Sequence, residues 1–161
     1  MPALPKSLIL EREQKVLVEQ HIGALEAALA MTPLDHIGHA ELTMTTVTKM
    51  TLVLPSRETG DLAGEARGEA FMAALDDIPS WAVQEAMRKW HRGEHGPKYD
   101  YKWQPVPSTL RELALNEVWR VRGAVRKMNE LLMAEALVEI SPEQEEAMKA
   151  RVRTLLSMKT A

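Results

Sequence analysis

The stretch DDIPSWAVQEAMRKWHRG, residues 76–93, decides the fold. Pro79 marks a helix start, because a first helical residue has no partner for the N–H that proline lacks. Gly93 marks the end, as a left-handed C-terminal residue. Asp77 or Ser80 is the expected cap. Helical spacing predicts one apolar face and one charged face: the first holds Val83, Ala86, Met87 and Trp90, and the second Glu85, Arg88, Lys89 and Arg92.

Similar signals predict helices before and after this stretch. Apolar residues at helical spacing, each run bounded by a capping residue, predict residues 8–31, 62–75, 108–137 and 142–158 as helices. The expected caps are Ser7, Asp61, Ser108 or Thr109, and Ser141. Residues 62–75 are rich in alanine and glycine, which let neighbouring backbones approach closely. We therefore expect that helix in the interior.

Residues 36–54, HIGHAELTMTTVTKMTLVL, are ambiguous between helix and strand. Five threonines and two valines favour a strand. The apolar residues do not alternate, however, and Ile37, Ala40, Met44 and Val47 form a helical stripe. We predict a helix.

These segments predict an all-α fold: a compact helical domain of five to six helices with a C-terminal helical hairpin. Residues 1–115 would be the helical core domain, and 116–161 the hairpin, packed on it or extending from it as one structural domain. The two C-terminal helices have wide apolar faces rich in methionine, which adapt well to partners. If the hairpin does not bury them, they bind a partner helix or a second copy through Met133, Leu137, Met148, Val152 and Leu155.

The composition limits the class of protein. A chain of 161 residues fits one domain. It has no cysteine, which excludes disulfides and thiolate metal sites and agrees with a reducing compartment. No apolar run approaches the roughly 20 residues of a membrane span, and the N-terminal MPALPKSLILEREQ becomes charged too soon for a secretory signal. We expect a cytoplasmic protein with no membrane contact.

The charge is asymmetric along the chain. The whole chain carries −3, but residues 88–127 hold ten basic and four acidic residues, a net +6. All seven aromatic residues lie between positions 71 and 119. Aromatic side chains that stack on bases, together with cations that neutralise phosphates, are typical of nucleic-acid binding. The candidate nucleic-acid-binding residues are Arg88, Arg92, Lys98, Tyr99, Lys102, Arg122 and Arg126, with Trp119 on the same helix face as the last two.

A structural interpretation of the same residues stays open. In this interpretation Trp81, Trp90, Trp103 and Trp119 are core or half-core residues, since they fit inward positions or precede helices, and the core is favoured for the first three. The arginines would then keep a helical face in solvent.

The remaining motifs do not predict a metal site or a catalytic site. His36-x-x-His39 and His91-x-x-x-His95 have a spacing that can bind zinc, but no third ligand joins them. The paired acids at 76–77 and 143–146 lie at helix starts, where capping and the helix dipole explain them. No nucleophile–histidine pair, phosphate loop or dinucleotide fingerprint is present. We predict a non-enzyme without a metal or cofactor.

Two segments suggest a family. FMAALDDIPSWAVQEAMRKWHRGE and the later WQPVPSTLREL resemble the N-terminal helical domain of phage and prophage replicative helicase loader and inhibitor proteins, over residues 62–115. The resemblance implies a protein that binds a replicative helicase and delivers it to an origin without catalysis. This chain has long C-terminal helices where those loaders tend to have a flexible helicase-binding tail. The alternative is a small prophage protein that binds nucleic acid or another protein, for packaging, regulation or interference with host defence.

Overall fold

The computed structural model describes residues 3–4, 8–57, 63–136 and 141–158. These residues form six helices: α1 Arg12–Leu29, α2 Ile37–Val53, α3 Ala63–Leu75, α4 Ser80–His91, α5 Pro107–Leu132 and α6 Pro142–Met158. Two short strands, β1 Ala3–Leu4 and β2 Glu135–Ala136, pair in parallel, with Ala3 opposite Glu135. The all-α prediction is confirmed, and residues 36–54 are helical.

Helix α4 lies at the centre of the fold. It packs against α5 on one side and α2 on the other, and α3 spans from α2 to α5. The inward face predicted for α4 is buried, from Val83 at 0% exposure to Trp90 at 3%. Phe71 and Leu75 of α3 and Leu110 of α5 complete the same core. Burial of these apolar side chains is the main source of stability.

Helix α3 is not the interior helix that its small residues suggested. Phe71 and Leu75 are buried, but most of the described side chains between positions 64 and 70 are exposed. A Cβ added at Gly64 or Gly68 would meet nothing within 4 Å, so no neighbouring backbone approaches them. Most of the small residues of α3 lie on its solvent side, whereas Ala74 packs against the core.

The structure shows which of the predicted capping residues the helices use. Ser7 and Asp61 lie outside the described residues. At α1, the backbone N–H of Glu11 donates to Gln14 at 2.9 Å. Helix α4 begins after Pro79 without a side-chain cap. Helix α5 begins at Pro107 instead of using Ser108 or Thr109, because proline at the first position already removes one orphan donor. The start of α6 is as predicted: Ser141 and Gln144 bond reciprocally at 3.1 and 3.3 Å.

Helix α5 ends at Leu132, before the predicted residue 137, and β2 follows it. The proposed domain boundary at 115/116 falls inside this continuous helix. Both helices predicted for the hairpin are present, but the helices that pack most extensively against α5 are α4, α1 and α3. The described side chains of α6, residues 142–153, are all exposed. Helix α6 therefore contributes no described side chain to the core.

Asp77 does not cap a helix. It forms an ion pair with Arg111 of α5 and thereby links α5 to the turn that precedes α4. Arg111 donates from Nη2 to Asp77 Oδ2 at 2.9 Å and from Nη1 to Oδ1, and Nη1 also reaches the carbonyl of Ala74 at 2.7 Å. These side-chain hydrogen bonds, more than the Coulomb attraction of Arg111, hold the pKa of Asp77 below its usual value, although partial burial opposes them.

Asp77→Asn should therefore make the protein less stable at neutral pH by under about 1 kcal/mol, since the carboxylate is half exposed. A carboxylate with a lowered folded pKa stabilises above its unfolded pKa, near 3.8, and loses that effect as pH falls through the folded value. The difference in unfolding free energy between Asp77→Asn and the parent chain should thus be smaller at pH 3, below the unfolded pKa, than at pH 7. Urea titrations at pH 7 and pH 3 measure it, and a pH-independent difference would contradict this explanation.

Candidate nucleic-acid and partner-binding surfaces

The loop after α4 is held by its aromatic residues. Gly93 adopts φ 68° and ends α4 as predicted. The indole of Trp90 donates to the carbonyl of Trp103 at 3.1 Å, and the hydroxyl of Tyr101 donates to the carbonyl of Gly96 at 2.6 Å. His95 bonds the carbonyl of Ala86 at 2.7 Å. The loop is therefore a fixed part of the fold, and Trp90 is a core residue.

Tyr99 packs within this aromatic cluster, so its ring is not fully available to stack on a base. Its ring lies 5.5 Å from Trp90 and is half-buried. Lys98 Nζ lies 4.8 Å from the centre of the Tyr99 ring and 3.9 Å from a Glu112 carboxylate oxygen. The contact with Tyr99, followed by the Glu112 charge, raises the pKa of Lys98. Lys98 is thus exposed but already has two local partners.

Arg88 and Arg92 are neutralised locally. Arg88 donates two hydrogen bonds to the Glu85 carboxylate, at 2.8 and 2.7 Å. They raise the pKa of Arg88 and lower the pKa of Glu85. Arg92 pairs with Glu94 at 2.8 Å. These two arginines therefore offer little net positive charge to a phosphate backbone.

The α5 aromatic–basic face consists of Trp119, Arg122 and Arg126. Trp119 is 59% exposed, and both arginines are exposed. Arg126 lies 3.8 Å from Glu130, whereas Arg122 makes no ion pair within the described part of the chain. A large indole beside a cation without a carboxylate partner is suited to a base and its phosphate.

The seven predicted nucleic-acid residues do not form one site. Lys102 is exposed in the loop and makes no ion pair to a described residue. Lys98 sits near Glu112, whereas Arg122 lies ten residues further along α5, about 15 Å along its axis. A polar groove of about 430 Å³ lies between the loop and α5, with both Glu94 and Glu117 in its lining. The structure therefore separates a largely compensated group of cations around α4 from the α5 aromatic–basic face.

Sequence reasoning missed a buried ion pair in that groove. Lys89 was placed on the solvent face of α4, yet its Nζ donates to Glu117 Oε1 at 2.6 Å. The two side chains are 14% and 9% exposed. Arg120 lies 3.6 Å from the other carboxylate oxygen of Glu117. Lys89 joins α4 to α5, and its charge is paired in a partly buried position.

The predicted partner-binding residues lie near the C-terminus. Met133 is 61% exposed at the end of α5, and Met148 and Val152 are 57% and 52% exposed on α6. Leu137 lies outside the described residues, as does the side chain of Leu155. The three that can be placed are accessible to a partner.

Both histidines of the first pair have structural roles. His36 Nδ1 accepts from the backbone N–H of Gly38 at 3.0 Å and caps α2. His39 bonds the hydroxyl of Ser80 at 3.2 Å, which ties α2 to α4. No group of three or more metal-ligating side chains occurs among the residues that the structure describes. No helix within those residues has the length and apolar character that crossing a membrane requires.

Neither family models, curated proteins nor solved structures match this chain. Its function must therefore be argued from its own surfaces.

One further cleft, which the sequence did not indicate, has a volume of about 410 Å³. It lies between α3 and the segment before α5, and Phe71, Pro105 and Val106 line it. Arg57 also lines it and pairs with Asp100 at 3.4 Å. The Oε1 atom of Gln104 is buried in this region without a hydrogen-bond partner among the described residues. The cleft is mainly apolar.

Proposed function

We propose that the protein is a non-catalytic replication accessory protein of the helicase-loader type, in which α6 binds a replicative helicase. The observation that carries this proposal is the exposure of α6. All of its described side chains are exposed, including the apolar Met148 and Val152. Helices α1 to α5 form the packed core. An amphipathic helix that is not used by its own fold can lay its apolar face into a groove of a partner.

The resemblance to helicase loaders supports the same proposal. The segments that carry it, within residues 62–115, form α3, α4 and the start of α5. Those loaders tend to bind the helicase through a C-terminal tail outside the helical domain. In this chain α6 contributes no described side chain to the core, so it can take the role of that tail. It differs from the tail of the family in being a regular helix instead of a flexible segment.

Charged replacements on α6 test the proposal. The chain should retain the replicative helicase of its own host or phage in a pull-down, and Met148→Asp with Val152→Asp should reduce the retained helicase at least about tenfold, because each places a carboxylate in an apolar contact. Leu17→Asp is the matched control, since Leu17 is 64% exposed on α1; it should retain the helicase fully.

No retention of helicase by the parent chain, under conditions that retain a known loader, would refute the helicase proposal. Equal loss with Leu17→Asp and with the α6 variant would show that α6 is not the binding element. Circular dichroism should give the same melting temperature for all three proteins, because every replaced side chain is exposed.

The α5 aromatic–basic face supports a second function, binding of single-stranded DNA. Trp119→Ala should weaken binding about 5- to 100-fold, since stacking on one aromatic contributes about 1–3 kcal/mol per base. Arg122→Ala should weaken it and reduce the dependence of log affinity on log salt by about one. Fluorescence anisotropy at several salt concentrations, with single-stranded and duplex DNA of one sequence, measures both effects.

Arg88→Ala is the control for that experiment, because Glu85 already neutralises Arg88. It should change the affinity less than Arg122→Ala does. An affinity that is unchanged by Trp119→Ala and Arg122→Ala would reject the α5 face as a DNA site. It would leave the helicase proposal standing, since that depends on α6.

A further inference from the structure

The outward face of α2 is unusually apolar for a surface helix. Five of its large apolar side chains are exposed, from 44% to 81%: Ile37, Leu42, Met44, Leu52 and Val53. The opposite face is buried against α3 and α4 through Thr43, Val47 and Met50. Contiguous exposed apolar patches on a monomer often mark an interaction surface. Neither of the neighbouring helices covers this one.

The order of residues along one ridge of this face is symmetric. Residues four apart form one ridge on a helix, and Ile37, Glu41, Thr45, Lys49 and Val53 make such a ridge, all exposed. Along the ridge in either direction from Thr45, the next residue is charged (Glu41 or Lys49). The residue after it is a branched apolar one (Ile37 or Val53). The two charges have opposite signs. The ridge is therefore complementary to itself when one copy is reversed.

The two charged residues of this ridge are unpaired among the residues that the structure describes. Neither Glu41 nor Lys49 forms an ion pair with a described residue. They are eight residues apart, about 12 Å along the axis, which is too far for them to meet. Apart from His39, no other residue of α2 is ionisable. The helix thus places one acid and one base symmetrically on an otherwise apolar and threonine-rich face.

We propose that a second copy of this chain packs its α2 antiparallel on this ridge, with a two-fold axis beside Thr45. Glu41 then meets Lys49 of the second copy, and the reverse pair forms by symmetry, as an isologous interface requires. Ile37 lies toward Val53 of the second copy at each end. Threonine at the centre is small enough for the two helices to approach closely. Residues four apart also form the ridges of the commonest helix packing class.

The charge symmetry favours a second copy over an unrelated partner. A different protein could cover the apolar residues without any acid and base equidistant from one threonine. Each copy contributes one helix of 17 residues, so the dimer should be weak, with a buried area at or below about 1,200 Å². The inference does not depend on the proposed function, because α6 and the α5 face are separate surfaces.

Charge reversal tests the pairing. Sedimentation velocity from about 5 to 500 μM should show the parent chain changing from monomer to dimer, the range expected for a small interface. Glu41→Lys and Lys49→Glu should each weaken the dimer about tenfold or more, because each turns two attractive pairs into repulsive ones. The double variant should recover the parent affinity, since it restores both pairs.

A mixture of the two single variants gives the decisive result. The Glu41→Lys chain carries two lysines on the ridge and the Lys49→Glu chain carries two glutamates, so each repels itself and attracts the other. Equimolar mixing should restore the dimer that neither variant forms alone. Both positions are exposed, and the melting temperature of each variant should match that of the parent.

A cysteine at the two-fold axis tests the geometry independently of charge. The chain has no cysteine, so Thr45→Cys introduces one that lies next to its own counterpart, within the short Cα separation that a disulfide needs. Mild oxidation should cross-link it into dimers, whereas Ser108→Cys, exposed on α5, should stay monomeric. A parent chain that is monomeric throughout, single variants that associate like the parent, no recovery on mixing, or equal cross-linking of both cysteines would each overturn the proposal.

Discussion

Trp90→Ala should lower the free energy of unfolding by about 3–5 kcal/mol, the range for removing a large aromatic side chain from a core. Trp90 is 3% exposed. Its ring lies 5.0 Å from Tyr101 and 5.5 Å from Tyr99, so the replacement leaves a cavity between α4 and the loop. It also removes the donor to the carbonyl of Trp103. Urea denaturation followed by circular dichroism measures the change.

The matched control is Trp119→Ala. Trp119 is 59% exposed, and surface replacements usually change the unfolding free energy by no more than about 0.5 kcal/mol. Trp90→Phe separates packing from hydrogen bonding, because it keeps much of the ring volume but loses the N–H donor. It should cost about 1–3 kcal/mol. Equal effects of Trp90→Ala and Trp119→Ala would contradict the assignment of Trp90 to the core.

The two tryptophans show what periodicity can predict. Trp90 lies three and seven residues after two core positions, Met87 and Val83, and its burial follows from that spacing. Trp119 directly follows the buried Val118, so it lies about 100° around the helix from Val118 and further from the other buried positions of α5. Its exposure is consistent with the same pattern. The course of α4 and α5 could therefore be predicted from local sequence, as could the helical state of residues 36–54.

Contacts between distant residues could not be predicted in this way. Asp77 has the local signature of a cap, and its true partner, Arg111, is 34 residues away. Lys89 has the spacing of a solvent-facing residue, and its partner, Glu117, is 28 residues away. A local pattern gives the face of a helix but not which long side chain will bend toward another helix. For the same reason, the sequence did not show which of the candidate nucleic-acid-binding cations have carboxylate partners.

The exposed surfaces of the protein differ in chemistry and in whether the fold uses them. The cations of α4 are used to hold the fold, whereas Trp119 and Arg122 on α5 have no such use among the described residues. The exposed apolar residues of α6 and α2 are likewise not used by the core. A small helical domain with several surfaces that its own core does not use is suited to holding other molecules together. This is what the helicase, DNA and second-copy proposals have in common.

The second large effect is expected at the buried ion pair. Lys89→Met should lower the free energy of unfolding by about 2–4 kcal/mol, because breaking a buried pair leaves the other charge without its partner. Glu117 is 7% exposed, and Arg120 at 3.6 Å could compensate part of the loss from its exposed position. Lys127→Met is the control: Lys127 is exposed on α5 and forms no ion pair with a described residue. It should change the unfolding free energy by no more than about 0.5 kcal/mol.

The double variant Lys89→Met with Glu117→Leu decides whether the loss comes from the uncompensated charge. Replacing a buried ion pair with apolar side chains of similar volume is often neutral or stabilising. The double variant should therefore be more stable than Lys89→Met alone and within about 1 kcal/mol of the parent chain. If its destabilisation equals the sum of the two single replacements, the two residues are not coupled and the ion pair does not join α4 to α5. A recovery in the double variant would instead show that Lys89 stabilises the fold by neutralising Glu117.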